Sequence, residues 1–481
     1  MIIWAVDLGA PIGGDRDGPP TYKIIEFECQ LQNRTRNVIK SVFFGVVLVG
    51  FTAPPAQAQN HPPGSKNLPS IELPKARKTL EPKSATNESA SLPSLSFAVR
   101  ELFDVWAVPA GLQPGSSVLN KVQLSGTLSG DPIGLAGWSA HAQVFRFDGQ
   151  ALSARMGDIQ TADNLEAPPV TRLFEAWIAR QWGAENRSIA LRMGLIDLNS
   201  QFDSIDPASL FVNSSHGIGP DLSRSGRNGP SIYPVSAAGL TVTAVPSDKW
   251  TFRVGVFGGV PGDLNRPRAF VAERVNGSDG VLTIGQVDYQ LSKSSRIEGG
   301  VWRYSAPADG ILGGTPHDAG GYISLEAPLP VAPRVTAWVR AGFADSRAQA
   351  VAGYIGFGAV QVGTFAHRPS DRLGIALAHA IIGDPAVQAQ GIHHAETSVE
   401  TSYQVKVSER VALQPDVQYI HHPAGVAHAP DAIGIGLRIV LSTGFPKKPQ
   451  ATDATDPTVP PDGAPTTAPA DADKSPTLSL P

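Results

Sequence analysis

The chain has 481 residues, with 39 Lys and Arg against 43 Asp and Glu, 49 glycines, 42 prolines and a single cysteine. The net charge of −4 is mild, and no basic run is interleaved with aromatics, so the sequence offers no footing for nucleic acid. No stretch reaches the roughly 18 apolar residues of a spanning helix, an exclusion that does not touch β-barrels, whose strands hide their hydrophobicity by alternation.

Residues 1–33 look like neither signal nor domain and are read as lying upstream of the true start, with an unusually long leader as the alternative. Within 34–58, Arg34, Arg36 and Lys40 precede the apolar run from Ser41 to Phe51, and Ala56-Gln57-Ala58 follows. A basic start, a short apolar stretch and an A-x-A site make a secretory signal peptide, so the mature chain is expected to begin near Gln59. Cys29 precedes that signal. The mature chain would then hold no disulfide framework, thiolate metal site, cysteine nucleophile or cysteine-linked lipid. Residues 59–92 are polar, rich in proline and lysine, and aperiodic; they read as a disordered periplasmic lead-in.

Residues 93–445 read as about sixteen strands: 94–106, 118–128, 133–148, 172–183, 187–196, 236–245, 248–257, 281–290, 295–304, 319–328, 333–343, 352–364, 371–380, 394–406, 409–420 and 431–441. Even-to-odd connections are short, such as Asp131-Pro132 and Pro246-Ser247. The others run from about ten residues to about forty. An even strand count with short turns at one end and longer loops at the other is the plan of an outer-membrane barrel. The expected fold is therefore all-β, a transmembrane antiparallel β-barrel of about 16 strands. Length alone suggests about three domains, but a large barrel is one.

Successive side chains in a strand face opposite ways. Along 396–407, Glu396, Ser398, Glu400, Ser402, Gln404 and Lys406 oppose Thr397, Val399, Thr401, Tyr403, Val405 and Val407. Along 433–441, Ile433, Ile435, Leu437, Ile439 and Leu441 oppose Gly434, Gly436 and Arg438. A lipid-facing wall around a wet interior requires this pattern, although a half-exposed soluble sheet would show it in any one strand. Pro415 deletes a ladder donor and predicts a bulge. Beyond the last strand, 446–481 is rich in Pro, Ala, Thr and Asp and reads as a disordered tail.

Several segments carry a family likeness. They are FEAWI (Phe174 to Ile178), MGLIDLNSQFD (Met193 to Asp203), FVNSSHGIGPDLSRSGRNGPSIYPVSAAGL (Phe211 to Leu240), VGVFGGVPGDLNRP (Val254 to Pro267) and ETSYQVKVSERVALQPDVQYIHHPAG (Glu400 to Gly425). In this order they resemble the carbohydrate-selective porins of the OprB family, from about Arg172 to Leu441. The resemblance implies a sixteen-stranded outer-membrane porin that passes glucose and related sugars. Such chains usually end on an aromatic residue of the last strand; here that residue is Phe445, and the tail follows it. The FEAWI strand carries Ala176 and Ile178 where the family has bulkier side chains.

A sugar-passing pore needs polar groups that exchange hydrogen bonds with hydroxyls, and aromatic faces that stack on the sugar ring. Alternation places Glu175 and Trp177 on the inner face of the fourth strand, with Phe174, Ala176 and Ile178 outward; a place for Trp177 in the interfacial aromatic girdle is the plainer alternative. Further inward candidates are Arg100, Asp104, His141, Gln143, Arg192, Arg253, Asp288, Glu298, Trp338, Arg340 and Glu400, any of which a generic hydrated wall would also hold. The longest connection, Asp197 to Val235, is dense in turn residues and is expected to fold inward as a constriction. Its Asp203, Asp206 and Asp221 oppose Arg224 and Arg227, either as a transverse field or as ion pairs to the wall. Arg224 and Arg227 match the family's signature loop.

The pairs His393-His394 and His421-His422 diverge and lack a carboxylate at ligand spacing. Ser214, Ser215 and His216 lack the strained turn of a nucleophile elbow. No cofactor, metal or enzymatic role is expected. The expected partners are monosaccharides, outer-membrane lipid and the barrel-insertion machinery, with the barrel a monomer or a trimer. A rival expectation is a structural outer-membrane barrel with a plugged lumen, binding cell wall or partners.

Overall fold

The computed structural model describes residues 95–184, 186–273 and 276–445. The expected leader, lead-in and tail lie outside the described residues.

Sixteen strands follow one another around a single closed antiparallel barrel. They are β1 (Leu95–Ala110), β2 (Gly115–Ser129), β3 (Trp138–Gly149), β4 (Val170–Ala184), β5 (Arg187–Ile196), β6 (Ala237–Ser247), β7 (Trp250–Gly258) and β8 (Val281–Ser292), then β9 (Ser295–Pro307), β10 (His317–Leu329), β11 (Ala332–Ala344), β12 (Val351–Val362), β13 (Arg372–Ile382), β14 (Ala395–Lys406), β15 (Val411–His421) and β16 (Ala432–Phe445). The seam pairs β1 with β16, from Phe97 opposite Phe445 to Ala110 opposite Ile433, so no sheet edge is left open.

The two faces divide as alternation requires, but with the burial reversed from a soluble protein. On β14, Glu396, Ser398, Glu400 and Ser402 are buried. On β16, the apolar Ile435, Leu437 and Leu441 are exposed. Leucines and valines therefore face outward, where lipid replaces water, and carboxylates face the interior.

The structure departs from expectation in four places. The β2–β3 connection is longer than Asp131-Pro132, because Pro132 sits in a 3-10 turn (Asp131–Ile133) closed by Gly134 in the left-handed region. The β1–β2 connection is only residues 111–114, since both strands run further than their apolar alternation. The plan of connections is thus a strong tendency and not strict. Phe174 is not on the outer face: a bulge between Leu173 and Glu175 turns it inward, where it is 2% exposed beside Phe145 and Tyr233. Pro415 makes no bulge. The β15–β16 register runs unbroken through Pro415 opposite Leu437, and on the β14 side it continues from Ser402 opposite Asp416 to Val405 opposite Leu413.

Candidate functional site

Residues 197–236 connect β5 to β6, and their own chemistry makes them compact. Asp197 accepts from the Asn199 amide and caps the turn Leu198–Ser200; Asn213 does the same for Ser214–His216. Pro207 and Pro220 each begin a short helical turn. The loop's apolar side chains then find apolar partners inside the barrel. Phe202, Leu222 and Ile218 join Phe257, Trp302, Tyr304 and Tyr322 in one buried cluster. Leu210 and Phe211 join Trp338, Val360 and Ala376 in another. Inward aromatics of β7 to β12 therefore serve the loop.

Polar ties fix it further. Arg340 on β11 donates Nε and Nη2 to Asp203 at 2.7 and 2.8 Å, and Nη1 and Nη2 to Asp221 at 2.6 and 3.1 Å. All three side chains are at most 2% exposed. Two glycines make room for this cluster. A Cβ on Gly219 would lie 2.1 Å from Arg340 Nη1, and one on Gly342 would lie 2.2 Å from Asp221 Oδ2. Glu400 on β14 accepts from the Val212 and Asn213 amides at 2.5 and 3.0 Å. Gln286 on β8 accepts from the Asp203 amide, Glu326 on β10 from the Asp206 amide, and Gln414 on β15 donates to the Leu210 carbonyl. The loop is thus tied to inward side chains on β8, β10, β11, β14 and β15. Burial pushes the His216 imidazole down to about 3. Its 3.6 Å approach to Glu400 is accordingly a contact of a neutral ring, which also meets Phe211 and Trp338.

A second segment, 150–169, also lies inside. Its Asp163 accepts from Trp106 Nε1 at 2.8 Å and from Arg438 Nη2 at 3.1 Å, while Arg438 also grips Asp104. Glu396 accepts from the Ile159 and Gln160 amides. Arg224 joins the two segments by donating to the Ile159 carbonyl at 2.9 Å.

Another part of the wall is wetter. Arg253 on β7 pairs with Asp288 on β8 and keeps its side chain 20% exposed. Arg296 lies 3.0 Å from Glu326 and 3.6 Å from Glu298. On β3 to β5, Trp177 is stacked by His141 at 5.1 Å, with the Arg192 guanidinium 4.0 Å above the ring. Those partners come from the strands on either side of β4, so both flanks of the indole are covered. Glu175 accepts from Trp177 Nε1 at 3.3 Å and from the Asp197 amide at 3.4 Å. Gln123, His141, Arg192, Thr243 and Arg253 are half-buried on the inner face.

The residues expected along the path therefore fall into groups. Asp203, Asp221, Arg340, Glu400 and Trp338 come together at the contact between loop and wall, all buried. Glu298 is buried beside Gln286 and Arg296. Glu175, Trp177 and Arg192 form one cluster, and Arg253 faces another. Arg224 and Arg227 do not meet the loop's aspartates. Arg227 is exposed and lies 3.4 Å from Asp279 of the β7–β8 connection. Asp163, Arg296 and Gln286 were not singled out from sequence, and Glu396 was placed only on the polar face of its strand. Alternation placed Arg438 inward, but its partner Asp104 is 334 positions away.

His421 and His422, expected to diverge, instead stack at a ring-centroid separation of 3.7 Å, and His393 stacks on His422 at 4.1 Å, because the connections after β13 and β15 bring the rings together. Among the described residues no group of three or more His, Cys, Asp or Glu is arranged to hold a metal ion.

Comparison with known proteins agrees with this architecture. Residues 131–442 match the family model described as carbohydrate-selective porin, OprB family. The chain is similar to the putative porin QuiX of Acinetobacter baylyi, at 33% identity over 100 residues. That stretch covers 17% of this chain and 23% of the relative. The high-pH structure of Pseudomonas putida OprB is similar at TM-score 0.64 and 16% identity, over 73% of this chain and 94% of that one; at this identity the likeness is one of fold. The outer membrane channel DcaP of Acinetobacter baumannii gives TM-score 0.46 at 8% identity, over 73% and 96% of the two chains.

Proposed function

Because the chain belongs to the carbohydrate-selective porin family, OprB, we propose that it passes glucose and related monosaccharides by passive diffusion through a lumen narrowed by the loop 197–235. Family and barrel together make it a carbohydrate-selective porin of the outer membrane. The proposal adds the monosaccharide, the narrowing and the residues. The observation that carries it is the asymmetric seating of the loop. Side chains of β8, β9, β10, β11, β13, β14 and β15 hydrogen-bond its stretch from Asp203 to Asn213, whereas β2, β3 and β7 meet the loop through ring contacts of Tyr233 and Phe202, and the inner faces of β2, β3, β5, β6 and β7 keep half-buried polar side chains beside them.

On this proposal a sugar moves along Gln123, His141, Arg192, Thr243 and Arg253. Amide and guanidinium donors there exchange hydrogen bonds with sugar hydroxyls as water is shed. Sites must be weak and several, so that the solute leaves as readily as it enters. Arg340, Asp203, Asp221 and Glu400 hold the loop, and the path takes its width from where they hold it. Trp177 orders Arg192 beneath the path more than it offers a free stacking face, since both its flanks are occupied. Export by the signal peptide, with the mature chain starting near Gln59, belongs to the same proposal; N-terminal sequencing of the outer-membrane form checks it.

Sugar-dependent blocking of single-channel current in planar bilayers tests the function. Glucose is expected to produce brief saturable blocks, and to enter proteoliposomes faster than a disaccharide. Equal permeation by neutral sugars and similarly sized anions would remove the carbohydrate preference. The plugged-barrel alternative draws on the segments 150–169 and 197–236, both packed inside. A reconstituted barrel with no conductance would favour it.

A further inference from the structure

Aromatic side chains collect on the outer wall at the end where the even-to-odd connections lie. Trp250, which opens β7, stacks with Phe252 and meets Tyr289 near the end of β8. Phe365, between β12 and β13, meets Tyr403 of β14. In an outer-membrane barrel this end faces the periplasm, and a girdle of aromatics marks the headgroup level of the leaflet on that side.

One group of this girdle holds a cation. Trp138 opens β3 in register with Arg180 of β4, and Trp182 follows Arg180 by two positions on the same outer face. The Arg180 guanidinium lies 5.2 Å from the Trp138 ring and 5.1 Å from the Trp182 ring. Two aromatic faces hold a weakly hydrated guanidinium at their own height instead of letting it extend into water. Yet among the described residues Arg180 makes no hydrogen bond or ion pair, and its Nε is buried without an acceptor. Other outward charges do find protein partners: Glu101 accepts from Asn120, and Arg146 donates to Asp148. Asp131, in the connection before Trp138, accepts from the Gly137 amide at 2.7 Å instead of pairing with Arg180. That connection also exposes Ile133 and Leu135, so the ground beside the cation is apolar. Arg187, exposed at the start of β5, adds a second positive charge nearer the water.

We propose that Trp138, Arg180 and Trp182 form a binding site for the phosphate of a phospholipid in the periplasmic leaflet. The guanidinium supplies charge and N–H donors to the phosphate oxygens. The two indoles pack beside the glycerol backbone, at the depth where amphipathic rings settle. Ile133, Leu135 and Ile189, all exposed, border the acyl chains. The ligand is a lipid because an unanswered cation with apolar flanks, set at headgroup height, is complementary to a phosphate that carries acyl chains. It belongs to the periplasmic leaflet because the site lies at the end of the even-to-odd connections. This surface lies outside the lumen, so the inference stands apart from the sugar proposal.

Native mass spectrometry of the barrel, purified from outer membranes and stripped of lipid in detergent, tests the site. The probes are phosphatidylglycerol and a diacylglycerol with the same chains but no phosphate. Phosphatidylglycerol is expected to bind and diacylglycerol to bind severalfold less. Arg180→Ala is expected to weaken phosphatidylglycerol binding about fivefold, the worth of one arginine near an anionic lipid surface. Arg303→Ala, which removes an outward arginine toward the other end of the wall, is expected to change nothing. Equal binding of the two lipids, equal losses from Arg180→Ala and Arg303→Ala, or binding of lipid A in preference to phosphatidylglycerol at Arg180 would each overturn the proposal. Should the Arg180→Ala barrel fail to assemble, Arg180→Gln and the comparison of the two lipids on the unaltered chain still decide.

Discussion

Arg340 and Arg253 both project inward from neighbouring regions of one barrel wall and both face aspartate, yet they sit in different solvents. Arg340 is 2% exposed and saturates two loop carboxylates, while Arg253 keeps a fifth of its side chain in water and meets one wall carboxylate. Residue type and strand position do not separate them. What does is whether the loop 197–236 lies over the residue. The dry region behaves like a protein interior, where an ion pair is costly to break. The wet region behaves like a surface, where pairing contributes little to stability and the side chain remains available to solutes.

The largest expected effect is at the dry end. Arg340→Ala leaves Asp203 and Asp221 buried without their partner, and removing one member of a buried pair costs about 3–5 kcal/mol. Denaturant unfolding in detergent should show that loss, and single-channel records should become noisy as the loop detaches. Replacing all three together, Arg340→Met with Asp203→Asn and Asp221→Asn, should recover part of the stability. No recovery would mean that the loop is held by its apolar contacts alone.

Glu400→Ala should follow, at about 1.5–3 kcal/mol for losing charged acceptors of the Val212 and Asn213 amides. Hydrogen exchange at those two amides reads the loss directly. Arg253→Ala and Arg192→Ala should barely move stability but should weaken saturable glucose block severalfold. If Arg253→Ala destabilises the barrel as much as Arg340→Ala, the contrast between the two regions fails. Trp177→Ala should reduce the block less than Arg192→Ala does, because the indole is covered by His141 and Arg192. A larger effect from Trp177 would restore it as a stacking face.

The smallest effect lies at the outer loops. Burial, and then the neighbouring His421 and His393, hold the His422 imidazole below the usual histidine range. A histidine with a lowered value favours the packed state while neutral. That contribution is complete above about 6.5 and is lost as the pH falls from there through the lowered value. Asp431 is held down to about 2, with the Tyr419 hydroxyl and His421 as partners, so it stays ionised across this window. Nearby, Asp384 lies 3.5 Å from His394. The His393 amide, which donates to the Gly425 carbonyl at 2.6 Å, should lose exchange protection between pH 7 and pH 5. His422→Gln should flatten that dependence.

Much of the barrel was legible in the sequence for local reasons. A strand shows its two faces to its own nearest neighbours, so Glu396 to Ser402 and Ile433 to Leu441 declared an inside and an outside without any partner strand. Misplacements came where one residue breaks the period. Leu173 and Glu175 straddle a bulge that no alternation rule marks, and Phe174 changed face with it. Pro415 carried the opposite error, since a missing donor on one side was absorbed without any register shift.

The site was less legible. Asp203, Asp221, Arg340 and Glu400 were all nameable as inward or loop residues, but their pairing joins positions 119 to 188 apart in sequence. Asp163 and Gln286 were not picked out, and Glu396 only as a polar-face residue, because what they hold is brought from elsewhere: the Trp106 and Arg438 side chains, the Asp203 amide and the Ile159 and Gln160 amides.

The sequence by itself determined the class of barrel, the face of nearly every strand residue, and the compact turns of the long loop, since those depend on contacts a few residues apart. Tertiary structure alone decided which inward charges are dry and which are wet. Solvation of a side chain is a property of whatever lies over it, and here that cover is a loop folded back from the far end of β5.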